Sequence, residues 1–159
     1  MPLVQVMPPV FPSLAFFQAL QQAMHAARDR FSRLGFFDVT FGVRVLREGA
    51  PPSDLVLAFE VFDCTGVRAG ASADVDFVLE GSLDGWREML DAIHRLGAAD
   101  TAHSINTLTH FGEGLRVRYD DPDGHDKLYR FVESIQEFFD LAAGIEIDYG
   151  GEPRRAASA

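Results

Sequence analysis

The sequence predicts a single domain of the α+β class, with a mostly antiparallel sheet covered on one face by helices. The first observation is the length of 159 residues, which suits one domain of ordinary size. The second is the spacing of apolar residues, which changes along the chain from a helical period to strict alternation and back again. The third is that each alternating segment has one apolar and one mixed face, which is typical of a sheet packed on one side.

The first 34 residues predict an extended arm followed by one long amphipathic helix. Four prolines break any helix over residues 1–12. Ser13 then stands where an N-cap residue belongs, and apolar residues recur at spacings of three and four from Leu14 to Leu34. Gly35 follows at the position of a C-terminal helix glycine. We therefore expect one helix of about six turns over residues 14–34.

Alternating apolar residues predict the strands. Alternation over 37–45 and 55–61, with a short proline-containing turn between them, favours an antiparallel hairpin. Residues 64–72 contain two glycines and leave room for a short strand at most. A further strand is predicted over 73–79 and a last one over 115–119.

The second half of the chain is mainly helical in pattern. Apolar residues at helical spacing predict a helix from Ser82 that ends near Gly97. A short helix and a final amphipathic helix follow, and the periodicity stops at Gly144. The predicted organisation is an extended N-terminal arm over 1–12, an α+β domain over 13–143 and a flexible C-terminal tail over 144–159.

Charge and composition argue against several classes of partner. The formal net charge is −10, so the chain repels phosphate backbones and anionic membrane surfaces. No apolar run approaches the ~20 residues of a membrane span, and Cys64 is the single cysteine. The apolar first residues lack the basic segment of a signal peptide. We expect a cytoplasmic protein with no nucleic-acid partner and no stable membrane insertion. The preference for arginine over lysine is typical of a bacterial chain from a GC-rich genome.

No constellation of residues specifies an enzyme or a metal site. His103 and His110 lie seven residues apart, whereas a zinc pair on a helix usually lies four apart. The aspartates at 120–126 lack the spacing of a calcium loop. Asp74 and Asp76 share a face of the predicted strand, but paired carboxylates need a cavity to become catalytic. We therefore assign no catalytic residue, no metal ligand and no cofactor.

Three segments resemble the sterol carrier protein-2 (SCP2) family. They are the strand and helix at 73–79 and 82–90, the helix-to-strand passage at 108–117, and the closing helix at 127–139. The resemblance implies a five-stranded sheet with helices over one face, enclosing an apolar tunnel for a sterol, fatty acid or acyl-CoA. In that arrangement the strands would contribute Phe59, Val61, Phe77, Leu79 and Val117, and the helices Trp86, Met89, Leu108, Phe111, Phe131, Ile135 and Phe138.

Three functions are compatible with these observations. The first is non-enzymatic binding or transfer of a hydrophobic ligand, which suits a chain in which 14 of the 18 aromatic residues are Phe. The second is a small enzyme or accessory subunit that acts on a hydrophobic substrate in a cone-shaped α+β cavity. The third is an interaction or dimerisation domain with a filled core, and a homodimer is compatible with the sequence.

Overall fold

The computed structural model describes residues 7–111 and 114–150, which form one mixed sheet and the helices that cover it. The helices and strands follow in the order α1 Leu14–Ala26, α2 Arg28–Leu34, β1 Phe37–Leu46, β2 Ser53–Val61, β3 Asp63–Ala69, β4 Phe77–Ser82, α3 Leu83–Leu96, α4 Ile105–His110, β5 Arg116–Arg118, α5 Pro122–Arg130 and α6 Val132–Asp140. Two short 3₁₀ turns, Thr101–His103 and Leu141–Gly144, precede α4 and follow α6 respectively.

The five strands lie in the order β3-β2-β1-β4-β5. Three of the four neighbouring pairs are antiparallel, and β1 with β4 is the parallel pair. The expected hairpin of the first two strands is present, with Phe37 opposite Val61 and Val45 opposite Ser53. The helices α1 and α3 pack against the sheet. The α+β class with a mostly antiparallel five-stranded sheet is thereby confirmed.

The strand expected over 73–79 begins only at Phe77 and continues to Ser82, so Asp74 and Asp76 precede it. The backbone N–H of Asp76 donates to the Thr40 carbonyl at 2.7 Å, and an Asp76 carboxylate oxygen accepts from the Thr40 N–H at 3.0 Å. These contacts hold the segment before β4 against β1 as a loop. The pair of aspartates on one strand face was therefore a wrong expectation.

Both long helices expected from the sequence are interrupted. The first is divided at Ala27 (φ −111°, ψ 28°) into α1 and α2, and the last at Phe131 (φ −112°, ψ 15°) into α5 and α6. The helix α5 also begins earlier than expected, because the Asp121 side chain accepts from the Asp123 N–H and Pro122 occupies the first turn. After the interruptions, α1 packs against β3 while α2 packs against α6.

Phenylalanine rings fill the space between the sheet and the helices. The ring of Phe59 lies 5.1 Å from that of Phe37, 5.6 Å from that of Phe41 and 4.9 Å from that of Phe138. The Phe41 ring in turn stacks on Phe77 at 5.1 Å. Each of these five side chains is at most 1% exposed. These five rings thus form a continuous aromatic layer between the central strands and α6.

The segments on either side of the predicted domain boundaries contact each other. Val10 pairs with Asp148 in a parallel bridge, and the Phe11 N–H donates to the Asp148 carbonyl at 2.7 Å. The Phe11 ring is 1% exposed and lies 6.1 Å from that of Tyr149. The boundaries at 12 and 143 stay a prediction, and residues 1–6 and 151–159 of the predicted arm and tail lie outside the described residues. None of the helices described is both long and apolar enough to cross a membrane.

Trp86 faces the interior, as the helical spacing of α3 predicts. Its side chain is fully buried, and its indole N–H donates to the Arg44 carbonyl at 3.2 Å. We expect native tryptophan emission to be blue-shifted relative to free indole and to shift to the red on unfolding, because burial removes the polar solvent around the ring. Fluorescence spectra in buffer and in denaturant measure this directly. A native spectrum that already matches the denatured one would contradict the placement.

Candidate functional site

The structure places most of the residues expected to line a tunnel inside the protein. Phe131 and Val117 are partly buried against the core. The fully or almost fully buried members are Phe59, Phe77, Leu79, Trp86, Met89, Leu108, Ile135 and Phe138. The rings of Phe77, Phe138 and Trp86 each lie 4.9–5.6 Å from a neighbouring aromatic ring, which is the spacing of packed aromatic pairs. Side chains therefore fill the interior at these positions.

Val61 and Phe111 do not face the interior, so the expectation was wrong for these two side chains. Val61 ends β2 with a positive φ of 62°, where the chain turns into β3, and its side chain is 50% exposed. Phe111 follows the last residue of α4 and is 79% exposed. Alternation and helical spacing fail at both positions because each lies at the end of its element, where the periodic direction of side chains stops.

A cleft of about 540 Å³ lies on the helical side of the molecule, where α2, α4, α5 and α6 meet. Its volume is within the range of pockets that hold small molecules. Both apolar and polar side chains line it: Leu34, Ser104, Asn106, Tyr129, Val132, Glu133, Gln136 and Glu137. Sequence reasoning missed this cleft, since its lining residues are scattered over four helices and none of them forms a motif.

Gln136 connects the cleft with the interior. Its side-chain carbonyl accepts from the Ile105 N–H at 2.8 Å, and its amide group donates to an Asp140 carboxylate oxygen at 2.9 Å. The same amide nitrogen lies 3.9 Å from the sulfur of the buried Met89. Gln136 therefore separates the cleft from the apolar interior at Met89, and a molecule could pass only if the Gln136 side chain moved.

Asp140 lies beneath this part of the cleft and is 6% exposed. The carboxylate oxygen that receives the Gln136 amide also accepts from the Ala99 N–H at 3.1 Å. Burial raises the pKa of Asp140, and the hydrogen bonds from Ala99 and Gln136 act in the opposite direction. Through Asp140 and Gln136, α6 holds the segment between α3 and α4 that forms one wall of the cleft.

The rim of the cleft carries hydroxyl and carboxylate groups. The Tyr129 hydroxyl donates to the Thr109 hydroxyl at 3.1 Å, and the Ser104 hydroxyl accepts from the Thr107 N–H at 3.2 Å as the cap of α4. Glu137 accepts from the Arg30 guanidinium at 2.6 Å. Within residues 7–111 and 114–150, no three His, Cys, Asp or Glu side chains are grouped so as to hold a metal ion.

Cys64 and Tyr149, whose pKa values are altered by burial, are not among the residues that line the cleft. Burial raises the pKa of the Cys64 thiol to about 12 and that of the Tyr149 phenol to about 12. A thiol with a raised pKa is a poor nucleophile at neutral pH. Cys64 therefore belongs to the core rather than to a catalytic site.

Comparison with known proteins establishes the fold. No family model matches the sequence, and no curated protein matches it either. A crystal structure of sterol carrier protein 2 is similar with a TM-score of 0.64 and 20% sequence identity, covering 83% of this chain and 96% of that one. The solution structure of a conserved hypothetical protein from Thermus thermophilus, described as possibly a sterol carrier protein, is similar with a TM-score of 0.64 and 19% identity, covering 88% of this chain and 91% of that one. The resemblance read from the sequence is thereby confirmed at the level of architecture: this chain has the fold of sterol carrier protein 2.

Proposed function

We propose that this protein binds a hydrophobic small molecule of the sterol or fatty acyl class and carries it unchanged. The ligand lies in the cleft, with its apolar part against the apolar side chains of the wall and its polar group near the amide and hydroxyl groups. The observation that carries this proposal is the cleft of about 540 Å³, whose walls combine apolar and polar side chains. The fold shared with sterol carrier protein 2 supports the same function.

The walls of the cleft suit such a ligand. Leu34, Val132 and the ring of Tyr129 supply apolar surface, and the neighbouring polar groups can orient one end of a bound molecule. Phe131, which separates α5 from α6, lies two residues after the cleft-lining Tyr129, and its ring centre is 6.2 Å from that of Phe37. We further propose that a long apolar part reaches Phe131 and, on α6, Ile135 and Phe138, and that the side chains filling the interior must move apart to admit it.

The experiment combines native mass spectrometry with a variant that fills the cleft. Freshly purified protein is expected to carry a bound molecule that denaturation and organic extraction release. After extraction, the protein should take up cholesterol, 1-dodecanol or dodecanoic acid. The variant Val132→Trp should weaken this uptake by roughly tenfold or more, because the indole occupies the cleft while open space there limits the cost in stability.

The matched control is Leu46→Trp, which adds the same ring at a residue 38% exposed that does not line the cleft. Uptake by this control should equal that of the parent protein. If the parent protein binds none of the three probes, the proposal is contradicted and an interaction domain with a filled core is favoured. Equal uptake by Val132→Trp and the parent would place the ligand elsewhere.

A further inference from the structure

The side chains that line the cleft carry negative charge and no positive charge. Two carboxylates, Glu133 and Glu137, line the cleft, and no lysine or arginine does. The Arg30 guanidinium is engaged by Glu137, with the donating nitrogen 2.6 Å from the carboxylate oxygen. Glu133 lies at the exposed rim in the first turn of α6. Among the side chains that line it, the cleft thus has surplus negative charge and no cation to meet an anionic ligand.

The other arginines of the surrounding helices do not change this balance. Arg28 and Arg33 lie at the two ends of α2, and Arg130 ends α5, but none of these three side chains lines the cleft. The Arg130 guanidinium lies over the ring of Phe131, 5.9 Å from its centre. Beneath the cleft, the Asp140 carboxylate adds a further acidic group, which is bonded to Gln136.

The neutral polar groups of the cleft match a hydroxyl head group. The Tyr129 hydroxyl gives its proton to Thr109, so its oxygen is left with acceptor capacity. The Asn106 side chain carries an amide donor and a carbonyl acceptor. The Gln136 amide already donates to Asp140, and the Gln136 carbonyl, which accepts from Ile105, keeps a second acceptor position. A ligand alcohol can donate to one of these groups and accept from another. A carboxylate can only accept, and would do so beside Glu133.

From this balance of charge we infer that the ligand is an uncharged amphiphile with a hydroxyl head group and a long or polycyclic apolar body. A free fatty acid or an acyl-CoA, both of which are anionic, is thereby disfavoured. This inference rests on the proposed function and narrows its ligand class. A carboxylate would lose hydration in the cleft without gaining a positive partner, and it would be repelled by Glu133, since the charge of Glu137 is offset by Arg30. The net charge of −10 also disfavours the approach of anions to the protein.

The test compares 1-dodecanol with dodecanoic acid, whose apolar tails match closely. Dissociation constants are measured by native mass spectrometry and by competition in solution at low salt and about pH 8, where the acid is ionised. We expect the alcohol to bind at least roughly tenfold more tightly than the acid. Since an alcohol is also the more hydrophobic molecule, a charge variant is needed to assign this difference to the cleft.

The variant Glu133→Lys should strengthen binding of the acid by roughly tenfold and leave that of the alcohol within about twofold, because it changes only the charge at the rim. The control Glu88→Lys makes the same change on an exposed residue of α3 outside the cleft lining, and should have a much smaller effect on the acid. Added salt should reduce the effect of Glu133→Lys.

The outcomes separate this inference from the proposed function. If neither the alcohol nor the acid binds, the proposed function itself fails. If the parent protein binds the acid as tightly as the alcohol, the assignment of an uncharged ligand is wrong although the protein binds lipids. Equal effects of Glu133→Lys and Glu88→Lys on binding of the acid would overturn that assignment in the same way.

Discussion

Replacing Phe59 by alanine is expected to lower the free energy of unfolding by about 3–5 kcal/mol, the usual cost of removing a buried aromatic ring. The Phe59 ring is 1% exposed and contacts the rings of Phe37, Phe41 and Phe138, with centroids 4.9–5.6 Å away. Its loss would leave a cavity between the sheet and α6. Backbone hydrogen bonds hold β2 to both β1 and β3, so this strand cannot easily move inward to fill the cavity.

Urea unfolding followed by circular dichroism measures this change. The control is Val61→Ala on the same strand. Because the Val61 side chain is 50% exposed, we expect this substitution to change the free energy of unfolding by no more than about 0.5 kcal/mol. A cost for Phe59→Ala below about 1 kcal/mol would indicate that space already surrounds this ring. An open tunnel at Phe59 would then replace the filled interior.

The parts of the fold that the sequence predicts well are those in which local signals agree. The helix α3 is the clearest case: the Ser82 hydroxyl accepts from the Gly85 N–H at 3.0 Å as its cap, and Gly97 ends it with a φ of 84°. Apolar spacing, N-cap and C-terminal glycine all indicate the same element. The central strand β1 is similarly clear, because five alternate residues from Phe37 to Val45 are at most 1% exposed.

The interruptions at Ala27 and Phe131 carry no comparable signal. Both residues are ordinary helix or core residues, and neither is glycine or proline. The helical spacing of apolar residues continues across each interruption, because both halves bury the same kind of face. The two halves of the first helix differ in their main neighbour: α1 packs mostly against β3, and α2 packs against α6. Periodicity therefore predicts which side chains are buried there better than it predicts where a helix ends.

The candidate site is less predictable than the fold for a related reason. The residues expected to line a tunnel were chosen because they are apolar, and apolar residues at regular spacing are mostly core. The cleft is instead lined by side chains such as Ser104, Asn106 and Gln136, whose sequence context is that of ordinary helix surface. They come together only because α4 and α5 both pack against α6. No local pattern specifies that meeting.

Gly124→Ala is expected to destabilise the protein, although alanine favours an exposed helix over glycine by about 1 kcal/mol. Gly124 is buried in α5, where an added Cβ would lie 1.8 Å from the backbone carbonyl oxygen of Asp76. That oxygen cannot easily retreat, because the Asp76 backbone and carboxylate are both bonded to Thr40 of the central strand. The helix must therefore move away from the sheet, which weakens the burial of Leu128 and the 3.2 Å ion pair between Lys127 and Asp76.

We expect Gly124→Ala to lower the free energy of unfolding by at least about 2 kcal/mol, in the upper part of the range for overpacked sites. Gly144→Ala is the control, because an added Cβ there meets no atom within 4 Å and the backbone φ is not positive. Its effect should stay within about 0.5 kcal/mol of the parent or be slightly stabilising. Urea titration of the two variants side by side separates a steric cost at α5 from a general cost of replacing glycine. Equal stability of Gly124→Ala and Gly144→Ala would mean that α5 does not rest on the loop before β4. One wall of the cleft would then be placed incorrectly, because Tyr129 lies on that helix.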